Sequence, residues 1–234
     1  MYSLKRFLIL IIASVIIVSA VTAQTQQRRE MTVEESYLQE MIELMIIRET
    51  ARSNTREQKF ISLEYIGEAI SRGNTNDEIR QTLEFLSLEG TRIQARENNR
   101  LVNNFPDVRR RAIMYLGQLG TEEAKNSLIN VIQSGETEPL VLMETIRALG
   151  NIGINNNNEA VSNIVFAYRR FETLNPDNLM ALAIIDSFEK FARNEGGLST
   201  DALQLLIRIS EGVYVTPVRE RARQLIADLR TMGR

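Results

Sequence analysis

The side chains of this 234-residue chain best suited to recognising a partner are guanidinium groups. Arg109, Arg110 and Arg111 form its only basic triplet. A planar guanidinium grips a carboxylate or phosphate through two parallel hydrogen bonds. The triplet is therefore a candidate hold on an acidic segment or a phosphate at a helix start. The competing reading is that Arg109 pairs with Asp107 or with a neighbouring structural unit while Arg110 and Arg111 stay solvated. That is the commoner fate of charge runs. Arg169 and Arg170 end a helical segment, where cations complement the negative end of the helix dipole. With Lys125 and Arg208 they are candidates for one binding face, set against plain charge compensation. Asn155 to Asn158 could bond a ligand through their amides, but asparagine also suits turns, and a loop of variable length is the favoured reading.

The residue types that are missing say as much. Cysteine, histidine and tryptophan do not occur. Disulfides, thiolate zinc sites and thiol nucleophiles are thereby excluded, as are the usual general base and the commonest transition-metal ligand. Adjacent carboxylates such as Glu34-Glu35 and Glu122-Glu123 diverge by about 100° on a helix and make no acid/base dyad. No Gly-rich phosphate loop and no Gly-x-Ser-x-Gly turn is present. The expectation is a non-enzyme with no metal and no cofactor. The formal charge is −2, and near −4 without Lys5 and Arg6, which argues against a nucleic-acid partner.

The N-terminus reads as an export signal. Lys5 and Arg6 precede an apolar run from Phe7 to Val18, and Val21-Thr22-Ala23 places small residues at −3 and −1 before Gln24. This pattern predicts a leader over 1–23, cut between Ala23 and Gln24, then a flexible stretch over 24–31. The rival is an uncleaved anchor, since Phe7 to Ala23 is just long enough to span a bilayer. A membrane contact is expected only in that case. The expected location is periplasmic or secreted.

The elements that would position the arginines follow a repeat. Pro106, Pro139, Pro176 and Pro217 are 33, 37 and 41 residues apart. Each precedes an amphipathic segment with a large apolar anchor: Leu116, Leu149, Phe188 or Ile226. Proline is tolerated in the first helical turn, so all four are read as starts of the first helix of a hairpin. Arg111-Ala-Ile-Met-Tyr-Leu-Gly-Gln-Leu-Gly120 aligns with Glu144-Thr-Ile-Arg-Ala-Leu-Gly-Asn-Ile-Gly153, and Ile61 to Ile70 is an earlier copy. The glycine after the anchor in these three copies costs about 1 kcal/mol within a helix and predicts close approach of a neighbouring helix.

Second helices are expected near Asp77, Glu122, Glu159 and Asp201, with Thr121 and Thr200 as caps. Their stripes at helical period are Ile79, Leu83, Leu86; Ala124, Leu128, Val131; Ala160, Ile164, Ala167; and Ala202, Leu206, Ile209. Single hairpins cannot bury such stripes, whereas stacked ones can. Residues 32–54 form a sealing helix, opened by a Thr32–Glu35 capping box, and the solenoid occupies 55–234. The helix from Pro217 seals the other end. Gly90 to Asn104 is an irregular polar stretch. Met41, Ile42, Leu44, Met45, Ile46 and Ile47 make the N-terminal helix apolar over more than one stripe. Two covers are therefore expected, the first repeat and a partner or membrane surface, with Met41, Met45 and Ile46 as contact candidates.

Asp107-Val-Arg-Arg-Arg-Ala112, with its Leu-Gly-x-Leu-Gly ending, resembles the HEAT repeat family, particularly the short bacterial HEAT-like repeats. Pro217-Val-Arg219 echoes that start. The resemblance covers roughly Arg56 to Met232; the tetratricopeptide pattern is not matched. It implies an all-α solenoid of about four to five hairpins with sealing helices. It also implies a protein-binding scaffold whose second helices line the concave surface, and no reaction. The expected function is an exported, non-catalytic interaction scaffold of the cell envelope with protein partners. A permanent structural subunit of an envelope or motility complex is the alternative, and an enzyme on a helical-repeat frame is the disfavoured third reading.

Overall fold

A computed structural model describes residues 32–172 and 176–232. The expected leader, the Ala23–Gln24 junction and segment 24–31 lie outside the described residues. The chain divides between Ile42 and Glu43 into two units. Among the described residues no helix is long and apolar enough to cross a membrane.

The described residues form ten α-helices: α1 (Val33–Arg52), α2 (Arg56–Ser71), α3 (Asp77–Leu88), α4 (Pro106–Leu119), α5 (Glu122–Gln133), α6 (Pro139–Ile152), α7 (Glu159–Glu172), α8 (Asn178–Glu195), α9 (Thr200–Glu211) and α10 (Thr216–Met232). Helix α1 opens with the expected capping box. Thr32 Oγ1 accepts from the Glu35 amide at 3.2 Å, and Glu35 Oε2 accepts from the Thr32 amide at 3.0 Å.

From Glu43 onward the helices alternate between two layers. First helices α2, α4, α6, α8 and α10 pack in sequence, and second helices α3, α5, α7 and α9 pack in sequence beside them. The result is four hairpins packed sequentially, as in a HEAT-repeat solenoid, with α1 before them and α10 after. All four second-helix stripes are buried in one continuous core. The helix glycines repeat one contact. A Cβ on Gly117 would fall 2.9 Å from Ala148 Cβ, and one on Gly150 would fall 2.8 Å from Ser187 Cα. Each glycine thus faces the residue preceding the anchor of the next repeat, as Gly67 faces Tyr115. The lost helix propensity is offset by dispersion contact between close-packed backbones.

Four expectations need correction. Pro106, Pro139 and Pro217 lie in the first turns of α4, α6 and α10, but Pro176 lies outside α8, whose cap is Asp177. Thr121 caps α5, but Thr200 is already helical and Ser199 Oγ caps α9, accepting from the Ala202 amide. In α10 Val218, Ala222 and Leu225 are buried, while the expected anchor Ile226 is only half-buried. The polar stretch after α3 holds a small antiparallel hairpin, β1 (Arg96–Glu97) and β2 (Arg100–Leu101). It turns at Asn98 and Asn99, with φ of 49° and 64°, the left-handed region that asparagine tolerates.

Candidate protein-binding surface

The structure separates the candidate cations by depth. Arg109 is 1% exposed. Its Nε donates to Glu136 Oε2 at 2.6 Å and its Nη2 to Glu136 Oε1 at 3.3 Å; Nη1 reaches Asn104 Oδ1 at 2.8 Å and Glu89 O at 3.1 Å. This corrects the expectation that it meets an outside partner: the group it grips belongs to the loop entering α6. Asp107, its other suggested partner, is bonded instead by Arg56 of α2. Burial resists ionisation of the Asp107 carboxyl, but the hydrogen bond and charge of Arg56 outweigh it and hold the group below the usual carboxylate range.

Lys125 is also withdrawn from the surface. It is 1% exposed, and its Nζ donates to Glu122 at 2.9 Å and to Glu159 of the next second helix at 2.8 Å. Burial works against its charge, yet the two carboxylates raise its affinity for the proton above that of an ordinary lysine. A third buried cation, Lys59, pairs with Glu89 at 2.8 Å and donates to Ala51 O at 2.9 Å. Glu89 in turn accepts from the buried Asn103.

Lys59, Glu89 and Glu136 were not singled out from sequence. The signal was present: Lys59, Ser62, Leu63, Ile66; Arg109, Ala112, Ile113, Leu116; and Lys125, Leu128, Ile129, Ile132 each put a cation at the head of an i, i+3, i+4, i+7 buried stripe. A charge in core register requires a buried counter-charge.

Arg110 and Arg111 are exposed on α4, in the layer of first helices; Arg111 lies over the Tyr115 ring and donates to its hydroxyl at 3.2 Å. Arg170 sits over Phe166. Arg169 and Arg208 do converge. They flank a groove of about 270 Å³ between α7 and α9, floored by Val165, Tyr168 and Leu205, with Asp201 and Gln204 on its wall. Arg169 lies 4.0 Å from Asp201.

The remaining surface of the second helices is a polar ladder. Glu84 accepts from Arg80, Ser127 and Asn130, and Gln133 reaches Asn163 of the next helix at 3.2 Å. A second groove of about 570 Å³ separates α3 from the last turns of α1, with Arg48, Arg52, Asp77, Gln81 and Phe85 on its walls. Both grooves mix charge with an apolar floor, which suits a peptide segment. Among the described residues no three or more Asp, Glu, His or Cys side chains are placed to hold a metal ion.

On α1, Met41 and Met45 are exposed, Ile46 is half-buried and Ile47 is buried. The Asn155–Asn158 run is structural at its first member: buried Asn155 accepts from the Val161 amide and donates to Glu195.

Residues 99–167 match the HEAT repeats family. No curated protein and no solved structure matches the chain. The matched stretch runs from β2 through most of α7, so it takes in the hairpin α4–α5 and nearly all of α6–α7. HEAT repeats suggest a protein-interaction scaffold, of a kind that is usually non-catalytic.

Proposed function

We propose that the protein is an exported scaffold of the cell envelope, without catalysis, that binds protein partners along the face of its second helices. The observation that carries this reading is the HEAT-repeat stack whose second helices present grooves of mixed charge, above all the Arg169–Arg208 groove. Its two arginines against an apolar floor suit a segment bearing an acidic side chain beside an apolar one. The export half rests on the leader pattern over 1–23 with its small residues before Gln24. A permanent structural subunit of an envelope or motility complex is the second reading. The exposed apolar residues of α1 favour it, because stable partners cover such surfaces.

The test is crosslinking of the native protein in cell fractions, followed by mass spectrometry. The expected result is a mature N-terminus at Gln24, protein in the envelope fraction, and crosslinks that Arg169→Glu with Arg208→Glu reduces about tenfold. An intact leader in the cytosolic fraction overturns the export half. Crosslinks unchanged by the double variant overturn the groove. Stoichiometric recovery of one partner favours the permanent subunit.

A further inference from the structure

One linker of the stack is built differently from the others. The hairpins are joined along one edge, where each second helix ends and the next first helix begins. Linkers 134–138 and 212–215 are short, whereas the one after α3 runs from 89 to 105. It is pinned from beneath. Lys59 of α2 pairs with Glu89, and Asn103 donates to Glu89 and to Ile93 O while accepting from the Ala95 amide. Arg109 donates to Glu89 O and to Asn104. Lys59, Glu89, Asn103 and Arg109 are all buried. The β1–β2 hairpin is therefore fixed in advance, and binding does not have to order it.

This platform carries positive charge. Arg92, Arg96 and Arg100 are exposed, and among the described residues no carboxylate pairs with any of them; Glu97 is the one exposed acid of the linker. Linkers 134–138 and 212–215 hold no base. Arg96 stands opposite Leu101 and Arg100 opposite Glu97, so by strand alternation the two guanidinium groups leave opposite faces of the hairpin. A peptide strand lying on the hairpin meets one face, whereas a layer of phosphates that the hairpin enters surrounds both.

The apolar residues of the same edge fit such a layer. Outside α1, the exposed large hydrophobic side chains on this edge are Ile93, Val102, Leu140, Leu179, Val213 and Val215, against Ile61, Phe166 and Ile207 elsewhere. Among the described residues none is on the opposite edge, where first helices turn into second ones. Packing sets the six in a row. Gly117 faces Ala148 and Gly150 faces Ser187, which brings the starts of α4, α6 and α8 side by side, and the Val215 amide donates to Asn178, next to Leu179, at 3.0 Å. With helix axes about 8–10 Å apart, the row spans roughly 25–30 Å. None of the six lines the grooves described above. Side chains that protrude singly, Val213 with 85% exposure among them, each need a separate pocket in a protein partner but enter lipid anywhere. Exposed Glu138, Asp177 and Glu211 lie along the rest of the row, so the electrostatic part of the contact is confined to the hairpin.

We propose that this edge docks on an anionic lipid bilayer, with the arginines of the β1–β2 hairpin among the headgroup phosphates and the neighbouring apolar side chains entering the acyl boundary. The attraction combines buried apolar area with charge. Added salt weakens it, because Arg92, Arg96 and Arg100 are exposed. The contact uses neither the grooves of the second helices nor the leader pattern, so it stands or falls apart from the partner binding proposed above.

Vesicle flotation of the full chain tests this, with vesicles of mixed phosphatidylglycerol and phosphatidylcholine set against phosphatidylcholine alone. The expected result is tighter binding to the anionic vesicles, weakened about tenfold or more by Arg96→Glu with Arg100→Glu and by high salt. Both arginines are exposed and lie outside the buried network, so the circular dichroism spectrum should not change. The apolar run over 7–23 is common to every variant, so the docked edge is read by position. The chain has no cysteine, and Leu140→Cys or Glu123→Cys each places a single thiol for an environment-sensitive fluorophore. On anionic vesicles the label at Leu140 should shift to the blue, and the label at Glu123, on the opposite edge, should not. A chain that binds neither vesicle overturns the proposal. So does binding that the arginine variant leaves unchanged, or a Leu140 label that responds no more than the Glu123 label, since the 7–23 run alone would then hold the protein. Binding to polyglutamate that the arginine variant loses, without binding to vesicles, assigns the hairpin to an acidic protein and overturns the lipid reading.

Discussion

Replacing Arg109 by alanine should destabilise the fold strongly while leaving partner-binding surfaces in place. The Arg109 and Glu136 side chains are 2% and 1% exposed and meet through two hydrogen bonds, the shorter 2.6 Å. Alanine leaves the Glu136 carboxylate buried. Its remaining donors are the backbone amides of Thr137 and Glu138, each at 2.9 Å. Removing one member of a buried ion pair costs about 3–5 kcal/mol. The two amides still solvate the carboxylate, which sets the expected loss near the lower bound, about 3 kcal/mol. For a chain of this length each kcal/mol lowers Tm by roughly 2–4 °C, so a fall of roughly 6–12 °C is expected. Thermal and urea unfolding followed by far-UV circular dichroism measures it. Arg110→Ala is the matched control, because Arg110 is exposed one residue away, and it should shift stability by less than about 0.5 kcal/mol. If the two variants unfold alike, the buried clasp is not holding the second and third hairpins together. Partner crosslinks lost from Arg109→Ala at unchanged Tm would return Arg109 to the surface.

Two further outcomes follow from the packing and the ion pairs. Gly150→Ala gains about 1 kcal/mol of helix propensity, but its Cβ would stand 2.7 Å from Ser187 Cβ and 2.8 Å from its Cα. The overpacking should win, for a net loss of about 1–2 kcal/mol, whereas Gly197→Ala, with open space around it, should stay within about 0.5 kcal/mol of wild type; a stabilised Gly150→Ala would refute the close-approach argument. Asp107 is held below the usual carboxylate range by Arg56, so its contribution is present at neutral pH and is lost as pH falls below about 4. The pair is partly exposed, so Asp107→Asn should remove no more than about 1 kcal/mol at pH 7 and flatten the acid limb of a Tm-against-pH series, an effect that an unaltered limb would exclude.

Much of the architecture was legible in the sequence because it is local. Helical periodicity located the second helices at Asp77, Glu122 and Glu159, all where they begin, and at Asp201, one residue late. The four apolar stripes are buried, and the glycines after Leu116 and Leu149 meet a neighbouring helix. These features depend on side-chain period, cap chemistry and the absence of a Cβ, all of which a short stretch of sequence carries. What only the tertiary structure decided was which charges are surface and which are core. Arg109 and Arg110 are neighbours of one type, yet one is clasped by Glu136, 27 residues on, and the other is solvated. Lys125 is clasped by Glu159, 34 residues on, and Arg169 and Arg208 share a groove although they come from different hairpins. A buried charge is stable only if a counter-charge reaches it, and which distant carboxylate reaches Arg109 or Lys125 is set by how the hairpins stack.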